Sequence, residues 1–433
     1  MDTIYALSTA PGRAGLAVVR VSGPKALAVA EALTGRRDFE PRRATLTRFC
    51  DAGGGEIDRG LVLWFPRPAS FTGEDVVEFH IHGGSAIAAA MLRSIGAAKD
   101  VRPAEPGEFT RRAVENGKFD LTRAEALADL IDAETEAQRK QALRQYGGAL
   151  EELYEGWRER LVDASAWAEA TIDFAEEDIP QDVMEASRTA IREIFKEIQV
   201  HLNDAHRGEI LRNGIYLTVI GQPNAGKSSL VNALARRDVA IVSETAGTTR
   251  DVIEVHLDLG GYPVILADTA GLRETAEAVE SEGVRRALAR AQDGDLTLLL
   301  LDGTAADPFA GLPSTYADLS VWNKADLDWP SPRSGFMISV RTGAGLDQLI
   351  ATLTTLVAER YQQNTASPPL TRARHRHALE EAAAALDRAL AAPQAELMAE
   401  DLRLALRALG RITGRVDIEE LLDVVFRDFC IGK

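Results

Sequence analysis

The segment GQPNAGKSSL, residues 221–230, determines which fold the central part of the chain adopts. It follows the apolar run IYLTVI (215–220) and leads into SSLVNALARR (228–237), which has the pattern of a helix. Residues 221–228 fit G-x-x-x-x-G-K-[ST], in which glycines turn backbone N–H groups toward phosphates at the start of a helix. The order predicts a phosphate-binding loop, with Lys227 on the β- and γ-phosphates and the Ser228 hydroxyl on Mg²⁺.

Four shorter motifs follow this loop and indicate which nucleotide it holds. They are GTTRD (247–251), DTAG (268–271), NKAD (323–326) and SVR (339–341). The Asp326 carboxylate can accept both N–H donors of guanine's Watson–Crick edge, whereas adenine lacks this donor pair, and Asn323 is expected at the purine's other edge. The sequence therefore predicts GTP rather than ATP. The predicted GTP-binding residues are Asn224, Ala225, Gly226, Lys227, Ser228, Ser229, Ser243, Glu244, Thr245, Ala246, Gly247, Thr248, Thr249, Asp268, Thr269, Ala270, Gly271, Asn323, Lys324, Ala325, Asp326, Ser339, Val340 and Arg341.

One position departs from Ras-type GTPases, in which a glutamine after the DTAG glycine orients the attacking water. Here that residue is Leu272, which has no polar group for the task. The acidic candidates just beyond it are Glu274, Glu277, Glu280 and Glu282. Taken alone, the sequence leaves all four open, and each is also compatible with a solvated charge at a helix start.

Composition restricts the class of protein and its partners. The chain has 433 residues and a net charge of −17, which disfavours a broad polyanion-binding surface, so any nucleic-acid contact is expected to be local. Its two cysteines, Cys50 and Cys430, form no disulfide framework. The N-terminus lacks the pattern of a signal peptide, and no apolar run approaches the length of a membrane span. We expect a cytoplasmic protein without a membrane segment.

The pattern of strands and helices along the chain predicts a multidomain α/β protein. An N-terminal α+β domain is predicted for residues 1–118 and the first part of a helical domain for 119–212. Alternating strands and helices over 213–358 predict a doubly wound P-loop GTPase (G) domain. The second part of the helical domain follows over 359–433. We expect the G domain to be an insertion into the helical domain, and four consecutive domains are the alternative.

Motifs outside the G domain carry a resemblance that covers the whole chain. FTGEDVVEFHIHGG (71–84), PAEPGEFTRRAVENGKFDL (103–121) and the terminal CIGK (430–433) stand beside the GTPase motifs. Together they resemble the MnmE (TrmE) family of tRNA-modification GTPases. The resemblance implies an N-terminal domain similar to tetrahydrofolate-binding folds, a G domain inserted in a helical domain, and a homodimer joined through the N-terminal domains.

The resemblance also implies a function. The family acts with MnmG (GidA), a flavin- and NADH-dependent partner, to add an aminomethyl-type group, such as carboxymethylaminomethyl, to carbon 5 of the wobble uridine of certain tRNAs. The one-carbon unit comes from a folate such as 5-formyltetrahydrofolate, and GTP hydrolysis drives conformational change. The alternative hypothesis is a regulatory GTPase switch that binds ribosomal or other partners without tRNA chemistry, which fits the G-domain motifs equally well.

Site residues follow from the resemblance position by position. The implied catalytic residue is Glu280. The implied ligands are Asn224, Ser243, Thr245 and Thr248 for potassium, Ser228 and Thr249 for magnesium, and Arg20, Glu78, Lys118 and Lys433 for folate. A potassium ion beside the β- and γ-phosphates would offset developing charge as an arginine finger does elsewhere.

Several of these residues have simpler interpretations. Arg20 and Glu78 are also compatible with an ion pair on a strand surface, Lys118 with a solvated charge, and Lys433 with a frayed tail. Cys430 lies next to the implied folate site, but a packed apolar role is the alternative. The basic run RARHRH (372–377) is either a tRNA contact or a solvated helix start.

Overall fold

The computed structural model describes residues 2–173, 181–241, 254–267, 295–310, 317–330, 333–361 and 367–416, together with 422, 425, 426, 429 and 432. The chain forms two compact units. The first comprises Met1–Ala128, Gln145–Ile191 and Ala384–Lys433, and the second Asp129–Arg144 and Arg192–Ala383. The predicted fold class is confirmed. Along the chain, the described residues form a first sheet, then helices, then a second sheet, then further helices.

The first sheet lies in the N-terminal part of the first unit, and its strands and helices are β1 (Thr3–Leu7), β2 (Ala14–Ser22), α1 (Ala26–Thr34), β3 (Thr45–Cys50), β4 (Glu56–Phe65), β5 (Val76–Gly83), α2 (Ser85–Gly96), β6 (Val101–Pro103) and α3 (Glu108–Glu115). The strand order is β3-β4-β5-β2-β1-β6, and only the β1–β6 pair is parallel.

The two faces of this sheet differ in chemistry because alternate residues of a strand point to opposite sides. One face forms an apolar core with α1 and α2, in which Phe49, Phe79 and Met91 are fully buried. The opposite face carries Arg20 and Glu78 on the central pair β2–β5, and α3 packs on its edge near β1. This second face is therefore the polar one.

A buried ion network fixes α3 on that face. The Arg112 guanidinium donates to the Asp2 carbonyl at 2.9 Å, to both Glu74 carboxylate oxygens at 3.2 Å, and to Glu108 Oε1 at 2.9 Å. A buried charge is tolerated only when it is paired and hydrogen-bonded, as here. The network sets the position of Phe109, which lies one residue after Glu108.

The helices between the sheets are α4 (Leu121–Asp132), α5 (Glu136–Tyr146), α6 (Ala149–Asp173), α7 (Gln181–Leu202) and α8 (Arg207–Asn213). The helices after the second sheet are α11 (Ala373–Ala391) and α12 (Ala395–Thr413). Within the first unit α6 packs along α12, and the inward side chains Tyr154, Leu161, Leu402 and Leu409 are buried. Among the described residues, no helix combines the length and the apolar character that crossing a membrane requires.

The second sheet has the topology expected of the G domain, and its elements are β7 (Ile215–Ile220), α9 (Lys227–Leu234), β8 (Glu254–Leu259), β9 (Tyr262–Ala267), β10 (Leu296–Asp302), β11 (Leu319–Asn323), β12 (Phe336–Met337) and α10 (Leu346–Tyr361). The order is β12-β11-β10-β7-β9-β8, with every pair parallel except β8–β9. Residues Leu296 to Leu301 are all buried, as expected of a strand covered on both faces. The loops after β7 and β11 lie at the carboxyl edge of this sheet, which is where ligands bind in such folds.

Candidate functional site

The loop between β7 and α9 has backbone geometry that explains its glycines. Gly226 has φ of 100° and Asn224 has φ of 61°, in the left-handed region that glycine and asparagine tolerate best. A Cβ at Gly221 would lie 2.3 Å from the Leu300 carbonyl oxygen, and one at Gly226 would lie 2.4 Å from Asn323 Nδ2. The loop must therefore pass close to the neighbouring strands and to Asn323, which only glycine permits at these two positions.

Lys227 and Ser228 open α9 at the end of this loop. The Lys227 ammonium donates to the carbonyl oxygens of Gly221 and Gln222, both at 2.9 Å, so it lies over the loop. The Gln222 side chain donates to the Asp307 carbonyl at 2.9 Å and ties the loop to the segment after β10. A helix N-terminus, whose first N–H groups have no acceptor within the helix, forms an anion site together with a lysine over the loop.

Asn323 joins three loops of the site. Its side-chain nitrogen donates to the Ala225 carbonyl at 2.8 Å, and its side-chain oxygen accepts from the Val340 N–H at 3.1 Å. The side chain is almost completely buried, since the residue is 4% exposed. In this arrangement Asn323 connects the phosphate loop, the NKAD segment and the SVR segment, and its contact with the purine stays a prediction.

Asp326 presents a carboxylate beside the same cavity. Its Oδ1 accepts from the Ser339 hydroxyl at 2.6 Å, and Arg341 Nη1 lies 3.7 Å from Oδ2. The Ser339 hydrogen bond and, less strongly, the Arg341 charge hold the pKa of Asp326 below its ordinary value. The group is therefore ionised near neutral pH and accepts hydrogen bonds only, as recognition of guanine's N–H edge requires.

The cavity between these segments has a volume of about 620 Å³, within the range of small-molecule sites. Its lining residues are Asn224, Gly226, Ser229, Asn232, Ala233, Arg236, Asn323, Lys324, Asp326, Leu327, Val340 and Arg341. The structure thus brings the predicted P-loop, NKAD and SVR residues to one cavity.

Lys324 adopts an unusual backbone conformation that its neighbours hold in place. Its φ is 66°, in the left-handed region. Its ammonium lies 2.6 Å from Asp302 Oδ2, and its carbonyl accepts from Trp329 Nε1 at 2.9 Å. Burial alone would raise the pKa of Asp302, but hydrogen bonds from Lys324 and Thr304 bring it below the ordinary value. A Cβ at Gly303 would lie 2.2 Å from the Trp329 ring, so the indole occupies space that only glycine leaves free.

Part of the predicted site lies outside the residues that the structure describes. These predicted residues are Ser243, Glu244, Thr245, Ala246, Gly247, Thr248, Thr249, Asp268, Thr269, Ala270, Gly271 and Glu280, together with the alternatives Glu274, Glu277 and Glu282 and, at the C-terminus, Cys430 and Lys433. Their roles stay predictions.

On the N-terminal sheet Arg20 and Glu78 are cross-strand partners on β2 and β5. Arg20 Nε and Nη2 donate to Glu78 Oε1 at 3.0 and 2.9 Å, and the guanidinium lies 5.3 Å from the centre of the Phe71 ring and 5.7 Å from that of Phe109. The ion pair that the sequence suggested is therefore present. It is half-buried between aromatic rings, where cation–π attraction adds to the pairing.

His80, two residues after Glu78, has a buried Nε2 that makes no hydrogen bond to a described residue. This atom lies 3.5 Å from Glu78 Oε2, beyond good hydrogen-bond geometry. Buried polar atoms are nearly always satisfied, so this nitrogen retains hydrogen-bonding capacity beside the Arg20–Glu78 ion pair.

Of the two other predicted folate residues, Lys118 is described, whereas Lys433 lies outside the described residues. The Lys118 ammonium donates to the Pro68 carbonyl at 2.9 Å and is exposed. Gly432, just before the terminal lysine, accepts from the Ser8 hydroxyl at 3.0 Å, and a Cβ there would lie 2.2 Å from the Leu7 carbonyl oxygen. Gly432 thus lies against the end of β1.

The chain is similar to known proteins over its whole length. The model of the GTP-binding protein TrmE N-terminus matches residues 3–118, and that of the MnmE helical domain matches residues 121–430. A tRNA modification GTPase MnmE of Parvibaculum lavamentivorans is 58% identical over 443 aligned positions and covers all of both chains. The chain belongs to the MnmE family. Relatives of the same name from Paramagnetospirillum magneticum and Rhodospirillum rubrum are 56% and 55% identical, again over the full length of both chains.

In this MnmE-family chain the basic run 372–377 has a structural role at two of its arginines. Arg372 Nη2 lies 2.7 Å from Asp129 Oδ1, and Arg376 Nη2 lies 2.7 Å from Asp204 Oδ1 and 3.1 Å from Glu209 Oε2. Their charges are neutralised at these contacts. These two side chains are therefore neither solvated charges at a helix start nor part of a free cationic surface.

Sequence reasoning missed Trp329, Asp302 and His80. Trp329 lies three residues beyond the NKAD motif, and a tryptophan at that distance is a weak signal because loops contain them for many reasons. Asp302 ends β10, where a polar residue after an apolar strand is a modest indication of a site. His80 alternates with Glu78 along β5, which is the pattern that marks two side chains of one face.

We expect Trp329 to position the base-recognition segment. Trp329→Phe keeps a ring beside Gly303 but removes the N–H donor to the Lys324 carbonyl, which should weaken GDP binding about three- to tenfold. Discrimination of GDP from IDP should also fall, because Asp326 lies two residues after Lys324. Titration calorimetry measures both affinities.

The matched control is Trp322→Phe, which removes an indole donor to the Ser334 carbonyl instead. An equal loss of GDP–IDP discrimination in both variants would show that Trp329 acts only through general stability.

Proposed function

We propose that the chain is a potassium-activated GTP hydrolase that acts with MnmG (GidA) to add an aminomethyl-type group, such as carboxymethylaminomethyl, to carbon 5 of the wobble uridine of certain tRNAs. The observation that carries the proposal is the ionised Asp326 carboxylate beside a 620 Å³ cavity that the phosphate loop also lines. The family's full-length relatives carry the name tRNA modification GTPase, which supports the same function.

Guanine recognition follows from the chemistry of Asp326. Two N–H donors of guanine satisfy its two carboxylate oxygens, whereas adenine offers no such pair. A carboxylate left without partners costs on the order of 1–3 kcal/mol, so GTP is favoured over ATP. Lys324 and Asn323 hold the NKAD segment in place. Because the segment is already ordered, nucleotide binding loses less conformational entropy.

The phosphates would lie at the N-terminus of α9, with Lys227 as the nearest cation. Ser228 and Thr249 would hold magnesium, which when bound neutralises charge on the β- and γ-phosphates. Asn224, Ser243, Thr245 and Thr248 would hold potassium. Of these four, Asn224 is a described residue, and its left-handed backbone and its place in the cavity wall fit a side chain that serves a ligand.

Attack by water needs a group other than Leu272, because a leucine side chain neither accepts nor donates a proton. We assign this task to Glu280, directly or through a second water. A carboxylate that orients water and accepts its proton is a standard general base.

The polar face of the N-terminal sheet is the proposed folate site, formed by Arg20, Glu78, Lys118 and Lys433. The donor set fits, since a pterin has N–H donors for Glu78 and an acceptor for His80 Nε2–H, and a folate carboxylate suits Lys118. A one-carbon folate such as 5-formyltetrahydrofolate supplies the carbon unit when bound. Phe71 and Phe109 exclude water from Arg20.

The proposed assembly is a cytoplasmic homodimer that binds MnmG and tRNA. No redox-cofactor motif is visible in the sequence, so the reduction that the modification requires is assigned to the partner. The net charge of −17 is consistent with a tRNA contact that is local or supplied by MnmG.

The tRNA chemistry is tested in cells that lack this gene. Mass spectrometry of their tRNA nucleosides should show loss of the C5-aminomethyl-type uridines, with recovery on expression of the chain but not of its Glu280→Ala variant. Unchanged nucleosides in the deletion strain would favour the alternative, a regulatory GTPase switch without tRNA chemistry.

Potassium activation is tested by GTP hydrolysis in potassium and in sodium chloride of equal ionic strength. The rate should be higher in potassium, because the pocket must match the size and dehydration cost of the ion. Asn224→Ala should abolish the difference, while Asn232→Ala, another asparagine of the cavity wall, should retain it. Equal rates of the unmodified protein in both salts would contradict the proposal.

The role of Glu280 is tested by single-turnover hydrolysis. Glu280→Ala should leave GTP affinity within about threefold and reduce turnover roughly 10²- to 10⁴-fold, the range of a positioned acid–base group. Alanine variants of Glu274, Glu277 and Glu282 are matched controls with a far smaller expected loss. A large loss in one of these controls with little loss in Glu280→Ala would move the role to that neighbour.

A further inference from the structure

Three basic residues lie in or against one turn of the N-terminal domain, and we call this group the cationic turn. It consists of Arg42, Arg67 and Lys118, arranged about Pro66–Ser70. Arg42 Nη2 donates to the Ala69 carbonyl and Lys118 Nζ to the Pro68 carbonyl. Because these carbonyls belong to consecutive residues, the two cationic groups lie within about 10 Å of each other. All three side chains belong to exposed residues.

These cations differ from Arg36 and Arg43, which lie close to Arg42 in sequence, in lacking a carboxylate partner. Within the part of the chain that the structure describes, Arg42, Arg67 and Lys118 form no ion pair. Nearby arginines do, since Arg36 pairs with Asp38 at 2.6 Å and Arg43 with Glu40 at 2.7 Å.

The carboxylate of Asp75 also touches the turn. It accepts from the backbone N–H of Arg67 at 3.0 Å. This contact is made to the backbone and not to the Arg67 guanidinium. A chain with 66 acidic and 49 basic residues thus keeps three unpaired cations at one place. Their positive potential is concentrated there.

The cationic turn continues directly into the proposed folate site. Phe71, whose ring lies against the Arg20 guanidinium, follows Pro68 by three residues, a span of at most about 10 Å. Asn116 secures this segment by donating to the Thr72 carbonyl at 2.7 Å. The turn is therefore within reach of the other end of a ligand that has one end at Arg20 and Glu78.

We propose that the cationic turn binds the γ-linked polyglutamate tail of the folate, an inference that rests on the proposed folate site. Each glutamate added to a folate brings one more carboxylate. Lys118 serves the first glutamate, which leaves Arg42 and Arg67 for the later ones. The planar guanidinium fork matches a carboxylate with two parallel hydrogen bonds.

The small number of cations at the turn favours a polyglutamate tail over an RNA backbone. Nucleic-acid surfaces typically neutralise about six to ten phosphates, whereas this group offers three cations. Asp38 and Glu40 lie close in sequence to Arg42, which interrupts any wider basic surface on that side.

The test is calorimetric titration of the full-length protein with the mono- and triglutamyl forms of 5-formyltetrahydrofolate at low salt. The triglutamate should bind roughly three- to tenfold tighter, as expected for two added exposed ion pairs. Arg42→Gln combined with Arg67→Gln should bring this ratio to about one and leave monoglutamate affinity within about twofold. The matched control is Arg48→Gln with Arg93→Gln, two exposed arginines elsewhere on the domain, which should keep the ratio.

Each other result has a defined meaning. A ratio of one in the unmodified protein, with the monoglutamate bound, would overturn the tail site and leave the folate proposal standing. No binding of either form would overturn both. If the Arg42 and Arg67 variant keeps the ratio but loses affinity for a tRNA transcript, the cationic turn contacts RNA and the proposal is wrong.

Discussion

The buried amide of Asn323 is the interaction on which the nucleotide site depends. It donates to Ala225 in the phosphate loop and accepts from Val340 in the SVR segment, while its own backbone begins the NKAD segment. Three loops that are distant in sequence are thus held by two hydrogen bonds. Removing the amide would leave the buried Ala225 carbonyl without this partner, which costs about 1–3 kcal/mol, and would also free the part-buried Val340 N–H. The phosphate loop also passes close to the Asn323 side chain. Position 226 therefore requires glycine, since a Cβ there would collide with the amide nitrogen.

The parallel sheet makes this arrangement possible. β7, β10 and β11 run side by side in the same direction, so the loops after all three strands emerge at one edge. Asp302, at the end of β10, lies opposite Asn323 in the strand register and reaches the Lys324 ammonium. The left-handed Lys324 backbone is a cost that persists only where surrounding contacts fix it. Here the contacts are the Asp302 carboxylate and the Trp329 N–H, so the base-recognition segment is ordered from both of its sides.

The sequence was sufficient for features that a short segment determines by itself. The phosphate loop, the buried strands and the order of the motifs depend on local patterns, and the structure agrees with the fold class that they predict. Contacts between distant residues were not accessible in this way. That Asn323 binds protein atoms, and that Trp329 supports Lys324, depends on how β11 lies against the phosphate loop. The basic run 372–377 shows the same limit, because only the tertiary structure brings Asp129, Asp204 and Glu209 to its arginines.

Charge distribution connects the observations on the N-terminal domain. The buried Arg112 is surrounded by Asp2, Glu74 and Glu108, and its charge serves to hold α3. Arg20 is paired with Glu78 and lies beside aromatic rings and a His80 nitrogen that makes no hydrogen bond to a described residue. Arg42, Arg67 and Lys118 have no carboxylate partner in the described chain at all. The contacts of these residues therefore separate Arg112, which holds the fold, from a group of cations beside the proposed folate site that is available to an anionic ligand.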